Sequence, residues 1–419
     1  MIALLRRNPQ FTKLWLSQLV SQAGDWLDRM ACIALIGALG GPVGTLGALY
    51  GVELALRLLP SAVLTPFAGP VGDRLPRRML MVTADLARAL VVLGFLWVDT
   101  PAKLPLLYVL IAVQMSFGVF FDIARSAAVP DTVRREDLHA ANAISATTWS
   151  IMLGLGGVLG GVLVHVVGVR GVFVVDSLSY VASAVVLTGV KLPAVGKHAH
   201  EFKWREFFLL RDLKRGWDHA RERGLGMMLW AKTFWGAAGG FLVVLSLAGQ
   251  VRHANGNGRA AQDAAAFATG MLYSARGVGT GLGPWIAKHL LGSSDRALRL
   301  QCVCGFLIAA IGYGCFGFTS SLPWECLWVG VAHLGGATIW VASTVFWQRH
   351  TQETFRGRVF ALEYLAMNIA FGVGGMVAGF AYDRTGSLAI ATWVICGLVL
   401  CLGTAWTVLV YRQPFPERA

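Results

Sequence analysis

Between residues 25 and 29 the chain reads Asp-Trp-Leu-Asp-Arg, inside a run that is otherwise apolar enough to cross a bilayer. Carboxylates and guanidiniums at that depth either pair to hold helices in register, or bind and release a proton or a charged ligand. Other apolar runs carry Glu53 and Arg57, Lys232, and Arg276. Asp25 precedes Arg29 by four residues, as Glu53 precedes Arg57, and both spacings favour pairing on one helix. Asp28 is then the acid without a local mate, while Lys232 and Arg276 face no deep acid in their half. Two like-charged carboxyls in a low-dielectric cavity readily hold a proton between them, as a proton carrier must. Asp28, with Asp25 beside it, is therefore the candidate for carrying a coupling proton or facing a cationic part of a ligand. Structural salt bridges are the plainer alternative.

The elements that position these residues are helices. Of 419 residues 56% are hydrophobic and only 14% charged, too little charge for a soluble surface of this size. Apolar runs of about 20 residues, the length of a membrane-crossing helix, recur throughout. The pattern predicts an all-α membrane protein with twelve spans, starting near residues 13, 45, 79, 104, 141, 172, 225, 264, 300, 324, 357 and 387. Of the 36 Lys and Arg residues, five fall in loops on one side (Lys103, Arg170, Arg252, Arg259, Arg384). Five lie within spans (Arg29, Arg57, Arg88, Lys232, Arg276), and the other 26 lie on the opposite side. That asymmetry places both termini in the cytoplasm. The net charge of +13 then reports topology and contact with anionic lipid, and nucleic acid is not an expected partner.

A polar segment over 191–224 divides a first unit of six spans (1–190) from a second (225–419). Its bases, interleaved with Trp204, Phe207, Phe208, Leu209 and Trp217, suit an amphipathic helix on the inner membrane surface or a solvated linker. The two units resemble each other. Gly154–Gly161 (GLGGVLGG) matches Gly372–Gly379 (GVGGMVAG), and Gly69-Pro70 matches Gly283-Pro284 at nearly the same offset, which points to a duplicated unit.

Residues 69–78, "GPVGDRLPRR", lie between spans 2 and 3. Gly69, Asp73, Arg74, Arg77 and Arg78 match the signature loop of the major facilitator superfamily. "MLMVTADLARAL", "ARSAAVPDTVRREDLHAANA", "VVDSLSYVASA" and "FRGRVFALEY" make the chain similar to the branch of macrolide-efflux proteins and the enterobactin exporter. The resemblance covers essentially the whole chain. It implies the major facilitator fold, two pseudo-symmetric six-helix bundles rocking about a central site. In that frame Asp73 reaches the positive N-terminal end of span 11 and latches one conformational state. Asp85 and Arg88, near the start of span 3, and Asp122 and Arg125, at the end of span 4, are assigned to the same latch. The family's antiporter motif corresponds to Gly156, Gly157, Gly160 and Gly161, with Gly157 where the family has proline; the glycine pairs one turn apart retain close helix packing. Asp176 is read as structural near Arg170, and Glu363 as a partner of Arg356 or Arg358. Trp26, Trp230, Trp235, Trp340 and Trp347 are read as cavity aromatics or interfacial anchors.

No nucleotide-binding Gly-x-x-x-x-Gly-Lys-Ser/Thr loop and no His-Glu-x-x-His occur, and the seven cysteines lie in or beside apolar spans. No enzyme activity, cofactor or metal is expected, and a gradient must supply any energy. The expected function is proton-coupled export of an amphipathic small molecule (a drug, a macrolide-like compound or a siderophore) by a monomer in a bacterial inner membrane, its partners being substrate, protons and lipids. The alternatives are a lipid or lysophospholipid flippase without proton coupling, and a non-transporting sensor or assembly partner.

Overall fold

The computed structural model describes residues 2–40, 45–192, 209–255 and 258–413, with the side chains of residues 66–74 outside the described part. Every regular element among the described residues is helical: α1 (Ile2–Arg7), α2 (Pro9–Leu39), α3 (Leu46–Arg74), α4 (Arg77–Gly94), α5 (Leu104–Thr132), α6 (Leu138–Thr188), α7 (Leu209–Glu222), α8 (Gly226–Trp235), α9 (Gly240–Arg252), α10 (Arg259–Leu291), α11 (Asp295–Gly317), α12 (Leu322–His350), α13 (Glu353–Thr385) and α14 (Leu388–Arg412). In hydrocarbon each backbone polar group must be satisfied within its own segment, which is why helices dominate so apolar a chain.

Nine stretches among the described residues are long and apolar enough to cross a membrane. One runs from Ala140 to Thr188, and Gly168 breaks it with φ 73° and ψ 167°, a conformation that a side chain would strain. α2 and α10 are as long but are not apolar enough to be among the nine, so the twelve starts read from the sequence stay an expectation for those segments. α8 and α9 are joined by a tight turn of helix over Gly236–Gly239, whose small residues admit a neighbour's backbone. A Cβ at Gly240 would lie 2.4 Å from the Gly374 carbonyl oxygen of α13.

Glycines also bring the first half of the chain against the second. Gly47 on α3 meets Gly379 on α13 backbone to backbone. One turn along, a Cβ at Gly51 would sit 3.2 Å from the Gly375 carbonyl oxygen, and farther on one at Gly372 would clear Ala55 by 3.7 Å. α3 and α13 therefore touch at one end and separate toward the other. α6 and α10 behave alike. A Cβ at Gly161 would lie 2.7 Å from the Ala266 carbonyl oxygen, and one at Gly270 would lie 2.5 Å from that of Gly157, whereas Gly281 has nothing within 4 Å. At the closed end the tip of α2 meets α9, where Gly37 abuts the Gln250 side chain.

α7 is the helical part of the polar segment between the halves, and residues 193–208, with Trp204, Phe207 and Phe208, lie outside the described residues. It docks on α13 through Gly216, where a Cβ would lie 2.9 Å from the Arg358 carbonyl oxygen, and through His219 stacked on Phe355 with ring centroids 4.1 Å apart. Burial and the neighbouring Arg223 hold the His219 imidazole below its ordinary value.

The close approach of α6 and α10 can be tested directly. Gly270→Val forces a side chain into the Gly157 backbone and should destabilise the protein by about 1–3 kcal/mol, read as a lower thermal midpoint of the purified protein. Gly281→Ala, into open space, should leave the midpoint unchanged or raise it slightly.

Candidate functional site

The charged residues of the first half form one buried network, with pairings that differ from the sequence spacing. Arg57, on α3, donates from Nη2 to Asp28 Oδ1 at 2.8 Å and from Nε to Glu53. Asp28 is fully enclosed, and Gln114 of α5 donates to its second oxygen. Asp28 is thus not the acid without a mate: a base one helix away reaches it. Asp25 does not pair with Arg29. It accepts from Arg88 of α4 and, at 2.6 Å, from the Tyr180 hydroxyl of α6. Arg88 also reaches Asp85 at 3.4 Å and Ser21 at 3.1 Å. Asp85 and Arg88, expected at the latch, therefore belong to this interior network, because α4 turns its polar face onto α2. Gln114 Nε2 donates to the Tyr180 hydroxyl at 3.0 Å and so links the two arginine centres.

Asp176 adds a fifth carboxyl. It is wholly buried, its Oδ1 accepts from Ser179 at 3.3 Å, and no base stands within ion-pairing distance of it among the described residues. The expected tie to Arg170 is not formed, since Asp176 points inward toward α2, where a Cβ on Gly24 would collide with it. Asp25, Asp28, Glu53 and Asp85 thus converge on two guanidiniums, with Asp176 buried beside them. Asp85 Oδ2 and Asp176 Oδ2 are buried with no hydrogen-bond donor among the described residues. Carboxyls therefore outnumber bases here, in surroundings where an unpaired charge is costly.

In the second half Lys232 does have a deep acid. Its Nζ lies 2.9 Å from Glu363 Oε2 and 2.6 Å from the Thr344 hydroxyl, and Trp347 Nε1 donates to the same carboxylate at 3.1 Å. Glu363, expected near Arg356 or Arg358, sits one turn deeper on α13 and turns to α8. Sequence spacing missed this because the partners lie 131 residues apart. Arg29 and Arg276 are different: neither has a carboxylate within ion-pairing distance among the described residues. Arg29 packs over the rings of Trp26 and Tyr273, its guanidinium carbon 5.8 Å and 5.1 Å from their centroids. Of the other tryptophans, Trp235 is buried edge-on to Phe371, Trp340 lies over Lys232, and Trp230 packs on Trp217.

The signature stretch is more helical than a loop. α3 runs through to Arg74, and only Leu75 and Pro76 separate it from α4. The side chains of Asp73 and Arg74 lie outside the described part, as do the surroundings of Gly69. Arg77 donates to the Ala127 carbonyl at 2.8 Å and to Asp131 at 2.5 Å, and Arg78 to the Val190 carbonyl at 3.5 Å, all within the first half. Arg125 reaches Asp122 at 3.8 Å and Gln18 at 3.0 Å. Gly156 and Gly160 face Trp26 and Met30 on α2, while Gly157 and Gly161 face α10. One motif therefore packs a helix within its own half and another across to the second.

A residue that the sequence reading passed over stands at the closed end. Asp383, in the last turn of α13, accepts from the backbone N–H groups of Gly47 and Ala48, both at 2.8 Å. A carboxylate on the first turn of α3 meets the positive end of that helix and satisfies two orphan donors. The "YDRT" that carries it has no helical partner nearby in sequence, and only the fold brings α3 to it.

These features fit what the chain resembles. A model of the Major Facilitator Superfamily matches residues 14–289, and the chain belongs to that family. Macrolide efflux protein A of Streptococcus pyogenes is 23% identical over 404 residues, 94% of this chain and 95% of that protein. The MFS-type transporter YfiS of Bacillus subtilis (strain 168) is 28% identical over 190 residues, 44% of this chain. The putative bacilysin exporter BacE of Bacillus subtilis is 29% identical over 143 residues, 34% of this chain. The matched regions span under half the length of the last two, 43% and 35%. Among solved structures, the nucleoside transporter NupG superposes with a TM-score of 0.75 at 11% identity, over 96% of this chain and 99% of that one. A bacterial homologue of the human lysosomal transporter Spinster superposes with 0.71 at 15%, over 98% of each. The fold is that of the Major Facilitator Superfamily, and the chain is a multi-pass membrane protein.

Arg57 is the keystone of the network, and its removal should show this. Arg57→Met strands Asp28 and Glu53 together and should cost about 3–5 kcal/mol, seen as a large drop in thermal midpoint or loss of folded protein. Adding Asp28→Asn and Glu53→Gln to that variant should restore most of the loss.

Proposed function

We propose that the protein is a proton-coupled exporter of an amphipathic small molecule, working by alternating access. It sits as a monomer in a bacterial inner membrane with both termini cytoplasmic, and residues 1–190 and 225–419 form its two six-helix bundles about the linker at 191–224. The observation that carries the proton coupling is the convergence of four carboxyls on Arg57 and Arg88, with a fifth, Asp176, buried beside them without a base. The network lies inside the first half, spans α2 to α6, and its charge changes when a proton enters or leaves. Asp25 is its accessible member, with about a third of its side chain exposed, and Tyr180 with Gln114 links it to enclosed Asp28. Alternating access is supported by the glycine contacts, which close the two halves at one end and let them part toward the other. Export is supported by the relatives named for efflux.

Asp383 holds the closed end, and Asp73, at the opposite end of α3, is the counterpart expected to hold the other end when the halves rock. Asp383 stands at the last turn of α13 against the start of α3, and Asp73 stands in the last turn of α3, the other helix of the pair.

Proton flux into proteoliposomes holding the purified full chain, under an imposed pH gradient, should respond to at least one compound in a panel of amphipathic drugs, macrolides and siderophores. Asp25→Asn and Asp28→Asn should each abolish that compound-dependent proton movement. Undiminished proton-driven transport in both variants would end the coupling assignment. Lysolipid movement without proton flux would make the protein a flippase, and silence with every class would favour a sensor.

A further inference from the structure

Where the halves meet, at the level of Arg29 and Arg276, the charge balance runs opposite to that of the acid network. Arg57, Arg88 and Lys232 each have a carboxylate. Arg29 on α2 and Arg276 on α10 have none within ion-pairing distance among the described residues. Arg29 Nη2 lies 3.5 Å from the Tyr273 hydroxyl, and Tyr273 is one turn before Arg276 on α10. The Arg276 guanidinium lies within electrostatic reach of Arg29, Tyr273 and Tyr313, and His333 lies in its field. Three groups here are buried without a hydrogen-bond partner among the described residues: Arg29 Nε, Arg276 Nε and the hydroxyl of wholly enclosed Tyr313.

An unpaired charge at the centre of a bilayer is costly, and two like charges near each other cost more. Stacking over Trp26 and Tyr273 offsets part of this for Arg29. Packing holds the arrangement in place: Gly156 lets Trp26 lie against α6, and Gly277 and Gly154 bring α10 onto the same helix. Two guanidiniums, one from each half, with orphan donors and an aromatic wall, match an oxyanion on an aromatic body.

We infer that Arg29 and Arg276 form the binding site for the anionic group of the transported molecule, a carboxylate, phosphate or sulfonate on an aromatic or amphipathic frame, with Trp26 and Tyr273 against the frame. The site reverses the sequence-based expectation that Asp28 faces a cationic cargo, since Asp28 is enclosed by Arg57 and Gln114. Because the arginines belong to opposite halves, an anion held by both favours their approach, and binding biases the transport cycle. The inference rests on the transporter reading above but is independent of its proton coupling.

The test is isothermal titration of the purified full-length protein, without any gradient, with matched naphthalene probes: carboxylate, phosphate and sulfonate against carboxamide and trimethylammonium. At least one anion should bind ten-fold or more tightly than the carboxamide. Arg29→Gln and Arg276→Gln should each bring it to the carboxamide's affinity, while Arg29→Lys and Arg276→Lys keep part of the preference. Equal or tighter binding of the carboxamide or the cation, no binding of any anion, or a preference that survives both Gln substitutions would overturn the assignment. Dihexanoyl phosphatidylglycerol binding in the same arginine-dependent way, where every naphthalene anion fails, would assign the site to a lipid headgroup and overturn the cargo reading. If a Gln variant fails to fold, the wild-type ranking of anion over amide still decides. A failure of proton coupling leaves this titration unaffected, so the two readings fail separately.

Discussion

A charge taken into hydrocarbon must meet an opposite charge or a set of donors, because water is not there to supply them. That constraint arranges the interior of this protein. Arg57 reaches across from α3 to Asp28, and Arg88 from α4 to Asp25 and Asp85, so two guanidiniums bind α2, α3 and α4 together. Gln114 and Tyr180 carry the network on to α5 and α6. Five helices thus share one electrostatic centre, and a proton taken up anywhere in it changes the interactions that hold all of them. Lys232 and Glu363 tie α8 to α13 by the same logic.

The contact between the halves is of another kind. It consists of glycine backbones on α3 with α13 and on α6 with α10, and such contacts make and break without moving a charge. They are close at Gly47 and Gly161 and gone by Gly281. The division of labour suits a two-state machine, with charge-stapled halves and a seam packed largely on glycine. Polar contacts cross the seam too: Asp383 caps the first N–H groups of α3, and His165 on α6 lies 2.9 Å from Asp263 on α10.

Much of this was legible in the sequence, and what was not has a common cause. The all-helical membrane class follows from apolar run length, and the family from the residues around Asp73 together with the later motifs. The deep charged residues were also readable, since a charge in an apolar run is conspicuous. Their partners were not. Spacing by four on a helix pointed to Asp25 with Arg29, but the fold offers Asp25 the closer Arg88 of α4, 63 residues away. Lys232 and Glu363 failed to be matched for the same reason. Helical spacing reports only which residues could meet within one helix, and a bundle decides most pairings between helices. Asp383 went unseen because its function lies in backbone N–H groups, which no side-chain pattern records. The double-faced packing of Gly156, Gly157, Gly160 and Gly161 was half legible: small residues one turn apart signal close approach, but which neighbour takes which face is set by the bundle.

The same argument that pairs the acids isolates Arg29 and Arg276. Once Arg88 has taken Asp25 and Arg57 has taken Asp28, no carboxylate stands within ion-pairing distance of Arg29 among the described residues, and Asp263, the acid of α10, pairs with His165 more than three turns from Arg276. The acids and the unpaired bases therefore separate into two regions, one inside the first half and one at the seam. On the proposed reading a proton binds in the first and an anion in the second. A molecule that draws the two arginines together would then act on the seam between the halves, while a proton would act on the staples that set the shape of one half. Each ligand shifts the equilibrium only by its preference for one arrangement over the other, and α2 is the element through which the two preferences meet, for it carries Asp25, Asp28 and Arg29 within two turns.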